Sequence, residues 1–411
     1  MNYLELEADR CLLCKNPRCK ANCPISTPIP EVISLFRDGK IEEAGEMLFN
    51  NNPLSVICAI VCPHEDQCKG NCIRGIKGEP IEFHSIEELV SKEYLFNSEI
   101  KKEGNIEDRL AIVGGGPAGI TIAYLLAIKG YKITLFDAHE KIGGVLRYGI
   151  PEYRLPNTIL DKIEEKLISL GVKIRPNTLI GPVITTEKLF EDGYKAVFIG
   201  TGVWNPRTLD IKGETLGHVH YAIDYLKSPG VYNLGKKVAV IGAGNVAMDA
   251  ARTAKRSGAE EVYILYRKGK ENMPATNQEI KEAEEDNVLF ELFKAPLEIT
   301  DDGVKYIETK NEISEDGRVN TVNLEGTEGL FKCDSVIVAV SQVPKNNIVS
   351  NTEGLHTNKW GLLITDKCGH TTKKGVFASG DVVTGARTVV EAVAHAKIVA
   401  DEMHKYCQGE N

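Results

Sequence analysis

Eight of the eleven cysteines in this 411-residue chain fall within its first 72 positions. They form two groups, Cys11-x2-Cys14-x4-Cys19-x3-Cys23-Pro24 and Cys58-x3-Cys62-Pro63-x4-Cys68-x3-Cys72. Thiolates are soft ligands, and grouped thiolates in a chain without a secretion signal point to metal rather than to disulfides. The first ten residues are acidic and poor in apolar side chains, so no such signal is expected and a cytoplasmic location is. A lone cysteine is often small apolar filler, but eight in two tight groups are a poor way to fill a core. Two tetrahedral zinc sites and two [4Fe–4S] clusters both satisfy the spacing. Both groups carry a Cys-Pro step, as iron–sulfur runs do, which favours iron–sulfur.

Structural elements must hold these donors. Residues 29–50 carry apolar side chains at Ile29, Val32, Ile33, Phe36, Ile41, Ala44, Met47 and Leu48. That spacing predicts two short amphipathic helices parted by Asp38-Gly39, wrapping the clusters in apolar surface. A charged linker follows at about 92–108, and the chain then turns α/β. Arg109–Val113 reads as a strand running into Gly114-x-Gly116-x-x-Gly119, with Pro117 and Ala118 inside the turn. An apolar helix to Ile128 and a strand Lys132–Phe136 closed by Asp137 come next. A lone GxGxxG is weak, but strand, helix and an acid 23 residues on make it a dinucleotide fingerprint. Its glycines let the backbone approach a pyrophosphate, the helix N-terminus faces that group, and Asp137 accepts from a ribose. The uncharged stretch 111–128 is long enough for a membrane span, but Gly114-Gly115-Gly116-Pro117 would break a lipid-facing helix.

The pattern recurs. Lys237–Ile241 leads into Gly242-x-Gly244-x-x-Ala247, enclosing Asn245 and Val246, then a helix and a strand Glu261–Tyr266. That strand ends in Arg267-Lys268 instead of an acid. A carboxylate would repel a 2′-phosphate whereas these cations would bind it, so NADPH is expected over NADH. The bland alternative is a solvated strand end. Two dinucleotide sites imply FAD in the first and a nicotinamide cofactor in the second, with the second domain inserted into the first. A late strand ends in Gly380-Asp381 ahead of a helix starting at Thr388. Asp381 can hold a ribityl hydroxyl, and the N–H groups at Thr388 can face an anionic reduced flavin.

Longer runs carry a resemblance across essentially the whole chain. They are Ala8-Asp-Arg-Cys-Leu-Leu-Cys14, Asn52-Pro-Leu54 with Val61-Cys-Pro63, Gly143-Gly-Val-Leu-Arg-Tyr-Gly-Ile-Pro-Glu-Tyr-Arg-Leu-Pro156, Gly200-Thr-Gly202, Gly242-Ala-Gly-Asn-Val-Ala-Met-Asp-Ala-Ala-Arg252 and Gly380-Asp-Val-Val383. The chain resembles the FAD- and iron–sulfur-containing reductase module of the bacterial glutamate synthase small (beta) subunit and the N-terminal half of dihydropyrimidine dehydrogenase, also found in NADH-dependent ferredoxin:NADP⁺ oxidoreductases. The resemblance implies interleaved clusters, one on Cys11, Cys14, Cys19 and Cys72, the other on Cys23, Cys62, Cys68 and Glu87, with Cys58 as packing. Cysteine parity alone would choose Cys58 over Glu87. By the same resemblance Gly144 and Arg154 belong to the FAD site, and Ser341 stands where the family usually has glycine.

With 49 basic and 58 acidic residues the net charge is −9, so neither nucleic acid nor an anionic membrane is an expected partner. The 42% hydrophobic and 26% charged content is that of a globular protein with ample core material. The expected architecture is α/β, with two Rossmann-like domains preceded by an α-helical domain carrying two [4Fe–4S] clusters. The expected segments are 1–105 for the clusters, 106–232 and 342–411 for FAD, and 233–341 for NAD(P)H. The expected activity is NAD(P)H oxidation by an electron-input subunit that serves a separate catalytic flavoprotein, an FMN barrel or similar, with no catalytic side chain of its own. Two rivals remain. A flavin-dependent disulfide-type reductase needs a reactive cysteine pair, yet Cys333, Cys368 and Cys407 are isolated. A zinc-stabilised docking protein needs no flavin.

Overall fold

Apolar side chains three and four residues apart fold the N-terminal hundred residues into helices. In the computed structural model, which describes residues 3–313 and 319–410, these are α1 (Tyr3–Arg10), α2 (Ile29–Arg37), α3 (Ile41–Asn51), α4 (Ser55–Val61) and α5 (Phe83–Asn97). The two helices expected between 29 and 50 are α2 and α3. Ile29, Val32, Ile33 and Phe36 of α2 meet Ala44 and Leu48 of α3 and Phe83, Ile86 and Val90 of α5 in one core. Cys11, Cys19, Cys68 and Cys72 pack on its edge.

The first α/β segment gives β1 (Arg109–Val113), α6 (Pro117–Ile128), β2 (Lys132–Phe136), α7 (Asn157–Ser169), β3 (Lys173–Arg175) and β4 (Tyr194–Ile199). Four of the five residues of β1 are buried, the pattern of a strand covered on both faces.

Residues 204–342, with 148–151, form a second compact unit; the other described residues form the first. The second unit contains β5 (Val219–Tyr221), β6 (Lys237–Ile241), α8 (Asn245–Arg256), β7 (Glu261–Tyr266), β8 (Leu289–Leu292), β9 (Lys294–Thr300), β10 (Gly303–Ile313), β11 (Gly329–Lys332) and β12 (Ser335–Val338). Its parallel sheet has the order β5-β12-β6-β7-β8. The strands β9, β10 and β11, with Val319–Asn323, form an antiparallel sheet. Because β5 pairs with β12, this unit takes in residues upstream of the boundary at 233 that the sequence suggested.

The chain finishes in the first unit with β13 (Val376–Ala378) and α9 (Val389–Gln408). The first sheet is parallel throughout, in the order β13-β4-β1-β2-β3. Its strand order reverses between β1 and β4, and that of the second sheet between β6 and β12. Open parallel sheets bind ligands in the crevice at the carboxyl ends of such strands. Among the described residues, no helix is long and apolar enough to cross a membrane.

Candidate functional site

The first Gly-rich turn sits at the first crevice. Gly114 has φ +102°, and a side chain there would lie 2.6 Å from the Gly200 carbonyl oxygen at the end of β4. The run 143–156 begins against this turn: the Gly143 N–H donates to the Gly115 carbonyl over 2.7 Å. A Cβ on Gly144 would stand 2.8 Å from Gly116 Cα. Only bare backbone allows so close an approach. Pro117 and Ala118 open α6, and Gly116 is its N-cap with no side chain in the way. Gly119 packs against the Gly114 carbonyl. Asp137 closes β2 and is buried. Its carboxylate accepts from the Gly115 N–H at 2.6 Å and from the His139 N–H at 2.7 Å, so it braces the turn it was expected to serve. Arg154 is half-buried in the segment before α7.

Gly380 has φ +77° and turns the chain from β13 into a short helix headed by Asp381. Burial pushes the Asp381 carboxyl up to about 6, opposed by the Arg387 N–H it accepts at 3.3 Å. Thr388 is the N-cap of α9 and forms a reciprocal capping box with Glu391. The box engages the N–H groups of Thr388 and Glu391, leaving those of Val389 and Val390 as the free donors of the first turn. The helix start at Thr388 thus offers the N–H groups of Val389 and Val390.

The second turn repeats the geometry. Gly242 has φ +133°, and a Cβ there would meet the Ala339 carbonyl oxygen at the end of β12 at 2.3 Å. Gly244 caps α8, Asn245 and Val246 begin it, and fully buried Ala247 stands where the first turn has glycine. The Asn245 side-chain carbonyl accepts from the Thr276 N–H at 3.2 Å. Arg267 is exposed and Lys268 half-exposed beyond β7, and neither has a carboxylate partner among the described residues. Arg252, from the same motif, is buried in a network with Glu282, Asp286 and Arg256 that braces α8. Ser341 holds φ +93°, a conformation natural to glycine.

The thiols assemble into two neighbourhoods. Cys11 interacts electrostatically with Cys14 and Cys72, and Cys19 with Cys72 and Cys11. Cys68 feels Glu87 and Cys23, and Cys62 feels Cys58, Glu87 and Cys68. Cys23, Cys58, Cys62, Cys68 and Glu87 line one cavity, walled by Ile25, Ile29, Phe83 and Val390. Two residues that the sequence reading passed over join them. Thr27 Oγ1 lies 3.2 Å from Cys23 Sγ, and His64 lies on the cavity wall, stacked on His84 with ring centroids 4.5 Å apart. Neither carries a spacing signal.

Burial pushes the Cys11, Cys19 and Cys68 thiols up, Cys19 to about 11. Glu87 is buried and its carboxyl is pushed well above the usual range, by desolvation and then by Cys58. No hydrogen-bond donor and no cation reaches that carboxyl among the described residues. A buried carboxylate among thiols is costly unless positive charge compensates it, and bound iron is such a charge. The donor set thus fits a cluster. Cys58 differs: it accepts from Asn52 Nδ2 at 3.2 Å and has Cys62 as a hydrogen-bond partner. Among the described residues, no three His, Cys, Asp or Glu side chains are arranged to hold a single metal ion. Tetrahedral zinc would need its sulfurs within roughly 4 Å of one another. All eleven cysteines are free thiols.

Comparison with known proteins follows the same division. Residues 108–396 match the pyridine nucleotide-disulphide oxidoreductase family, and residues 2–99 match dihydropyrimidine dehydrogenase domain II, 4Fe-4S cluster. The chain is 32% identical to the glutamate synthase [NADPH] small chain of Azospirillum brasilense, over 98% of this chain and 89% of that one. It is 34% identical to the NADP(+)-dependent formate dehydrogenase subunit beta of Moorella thermoacetica, over 94% of this chain and 59% of that one. Among solved structures, FprA of Mycobacterium tuberculosis in complex with NADPH superimposes with TM-score 0.63 at 18% identity, covering 74% of this chain and 85% of FprA, a likeness of fold.

Proposed function

The chain belongs to the pyridine nucleotide-disulphide oxidoreductase family, with a 4Fe-4S domain of the dihydropyrimidine dehydrogenase type at its N-terminus, and on that premise we propose that it is an electron-input subunit that oxidises NADPH and delivers the electrons to a separate catalytic chain. Relatives named as a small chain of glutamate synthase and a beta subunit of formate dehydrogenase support a partner. A glutamate synthase-like or dihydropyrimidine dehydrogenase-like catalytic chain, or another flavoprotein, fits that role.

Bound FAD would supply hydride acceptance and one-electron release, and bound iron–sulfur clusters one-electron conduction, chemistry that no side chain supplies. The protein's own residues bind and orient. In this reading the turn 114–119, Gly144 and Arg154 hold the FAD pyrophosphate and its surroundings, and Asp137 a ribose. Gly380 and Asp381 take the ribityl chain, and the free N–H groups after Thr388 stabilise negative charge on the ring. The turn 242–247 with Asn245 and Val246 seats NADPH, and Arg267 and Lys268 take its 2′-phosphate. One cluster belongs to Cys11, Cys14, Cys19 and Cys72, the second to Cys23, Cys62, Cys68 and Glu87. The domains follow as 1–105 for the clusters, the first α/β sheet for FAD, and 204–342 for NADPH, inserted between the two FAD segments.

The observation that carries this reading is the cavity lined by Cys23, Cys62, Cys68 and Glu87 in the same compact unit as the turn at Gly114. Anaerobic titration with NADPH tests it. A flavin and two one-electron clusters take up four electrons, so about two NADPH per chain are expected at saturation. Saturation at one NADPH per chain would leave the clusters off the path and refute the proposal.

A further inference from the structure

Four exposed apolar side chains flank Cys11, Cys14 and Cys72 along the chain. Leu12 and Leu13 lie between Cys11 and Cys14, and Ile73 and Ile76 follow Cys72 directly. Leu12 is 58% exposed and Ile76 63%. The two segments belong together in space: Cys11 and Cys72 interact, and Arg10 Nη2 donates to the Glu79 carbonyl at 2.5 Å. Exposed apolar residues scattered singly need no explanation, but several around one site mark an interaction surface. Four cations rim these residues. Lys15, Arg18, Arg74 and Lys77 are exposed, and none has a carboxylate partner among the described residues. Nearby Lys20 and Lys69 are neutralised by Glu31 and Glu82, and Glu79 is the one exposed acid in the segment after Cys72. In a chain of net charge −9 this is a local reversal of sign.

An apolar centre with a charged rim is the anatomy of a protein interface, and the rim's sign selects the partner through complementary charge. Electron transfer also falls steeply with distance, so the thiols inside the patch are well placed for an exit. We propose that Leu12, Leu13, Ile73 and Ile76, with Lys15, Arg18, Arg74 and Lys77, form the docking surface for a separate one-electron acceptor protein whose facing surface is acidic around an apolar centre. The inference rests on the electron-input reading. Each NADPH oxidised gives NADP⁺, a proton and two electrons, which reduce two acceptor molecules by one electron each.

The test uses the flavin- and cluster-loaded protein, with an acidic flavodoxin as probe and a basic cytochrome c as counter-probe. Calorimetry is expected to show flavodoxin binding that weakens at least tenfold in Arg74→Glu/Lys77→Glu and in Lys15→Glu/Arg18→Glu, and also in Ile73→Ser/Ile76→Ser. Lys236→Glu, a charge reversal outside the patch, is expected to leave binding unchanged, and raising salt is expected to weaken binding in the wild type and in Lys236→Glu alike, and less so in the two charge-reversal patch variants. Iron content and NADPH oxidation with a neutral quinone are expected to match the wild type in every variant. The inference is overturned if flavodoxin does not bind the wild type more tightly than cytochrome c does. It is also overturned if Lys236→Glu weakens binding as much as the patch variants, or if the patch variants abolish self-association instead. Clusters that NADPH cannot reduce in the wild type would refute the electron-input reading, whereas reducible clusters with binding indifferent to the patch would refute this inference alone.

Discussion

The Lys397 ammonium on α9 donates to both carbonyl oxygens of Asn51, backbone at 2.6 Å and side chain at 2.9 Å, at the end of α3. This bond ties the helix that starts at Thr388 to the helical segment that carries the grouped thiols. Desolvation lowers the pKa of the half-buried Lys397 ammonium, opposed by Asp401 and the Cys23 thiol.

Lys397→Met removes this donor and leaves two carbonyls unsatisfied. The expected cost is about 1–3 kcal/mol, read by denaturant unfolding. In the proposed arrangement, loss of this positive charge also makes the cluster on Cys23 harder to reduce. Its midpoint potential is expected to fall by an amount on the order of tens of millivolts in a potentiometric titration, and Lys397→Arg is expected to restore it.

The proposal gives one cluster ligand position to Glu87 and none to Cys58. Glu87→Ala is expected to lose about half the iron, whereas Cys58→Ser keeps it, because the Cys58 thiol is already engaged by Asn52 and Cys62. Iron analysis on anaerobically purified variants decides between them. Loss of iron in Cys58→Ser with full retention in Glu87→Ala would reverse the assignment.

Under the proposed function Arg267 meets the 2′-phosphate of NADPH. Removing one charge-assisted contact to a phosphate costs about 1.5–3 kcal/mol. Arg267→Ala is therefore expected to raise the KM for NADPH roughly tenfold to a hundredfold while leaving that for NADH unchanged. Equal changes for both coenzymes would show that Arg267 does not meet the 2′-phosphate.

Asp381 makes stability depend on pH. Burial holds its folded-state carboxyl at about 6, above the ordinary 3.8. Between these values the folded protein binds more protons than the unfolded chain, so stability falls as pH rises through the window and stays reduced above it. For flavin-free protein the penalty at pH 7.5 is of order 2–3 kcal/mol. Asp381→Asn is expected to be more stable than wild type at pH 7.5 and equal to it below about pH 4, as thermal unfolding across pH will measure. The same variant is expected to retain less FAD.

Much of this was legible in the sequence because local pattern dictates it. The strands before Gly114 and Gly242 are short apolar runs that only a covered parallel sheet accommodates, and the positive φ at both glycines follows from the turn. Ser341, where the resemblance implies glycine, holds a φ of +93°, a value natural to glycine. Other features were invisible. The bond from Lys397 to Asn51 spans 346 residues and leaves no spacing to read. The second unit reaches upstream of 233 through β5, three residues too short to show a period. The capping box at Thr388 consumes donors that composition alone would count as available.

Paramagnetic resonance at low temperature, on protein reduced anaerobically by NADPH alone, tests the central claim most directly. The account predicts a reduced [4Fe–4S] signal appearing with the loss of oxidised flavin absorbance, abolished when the turn at Gly242 is blocked by Gly242→Val. A flavin that NADPH bleaches while the iron stays silent, even though dithionite brings the signal out, would contradict it.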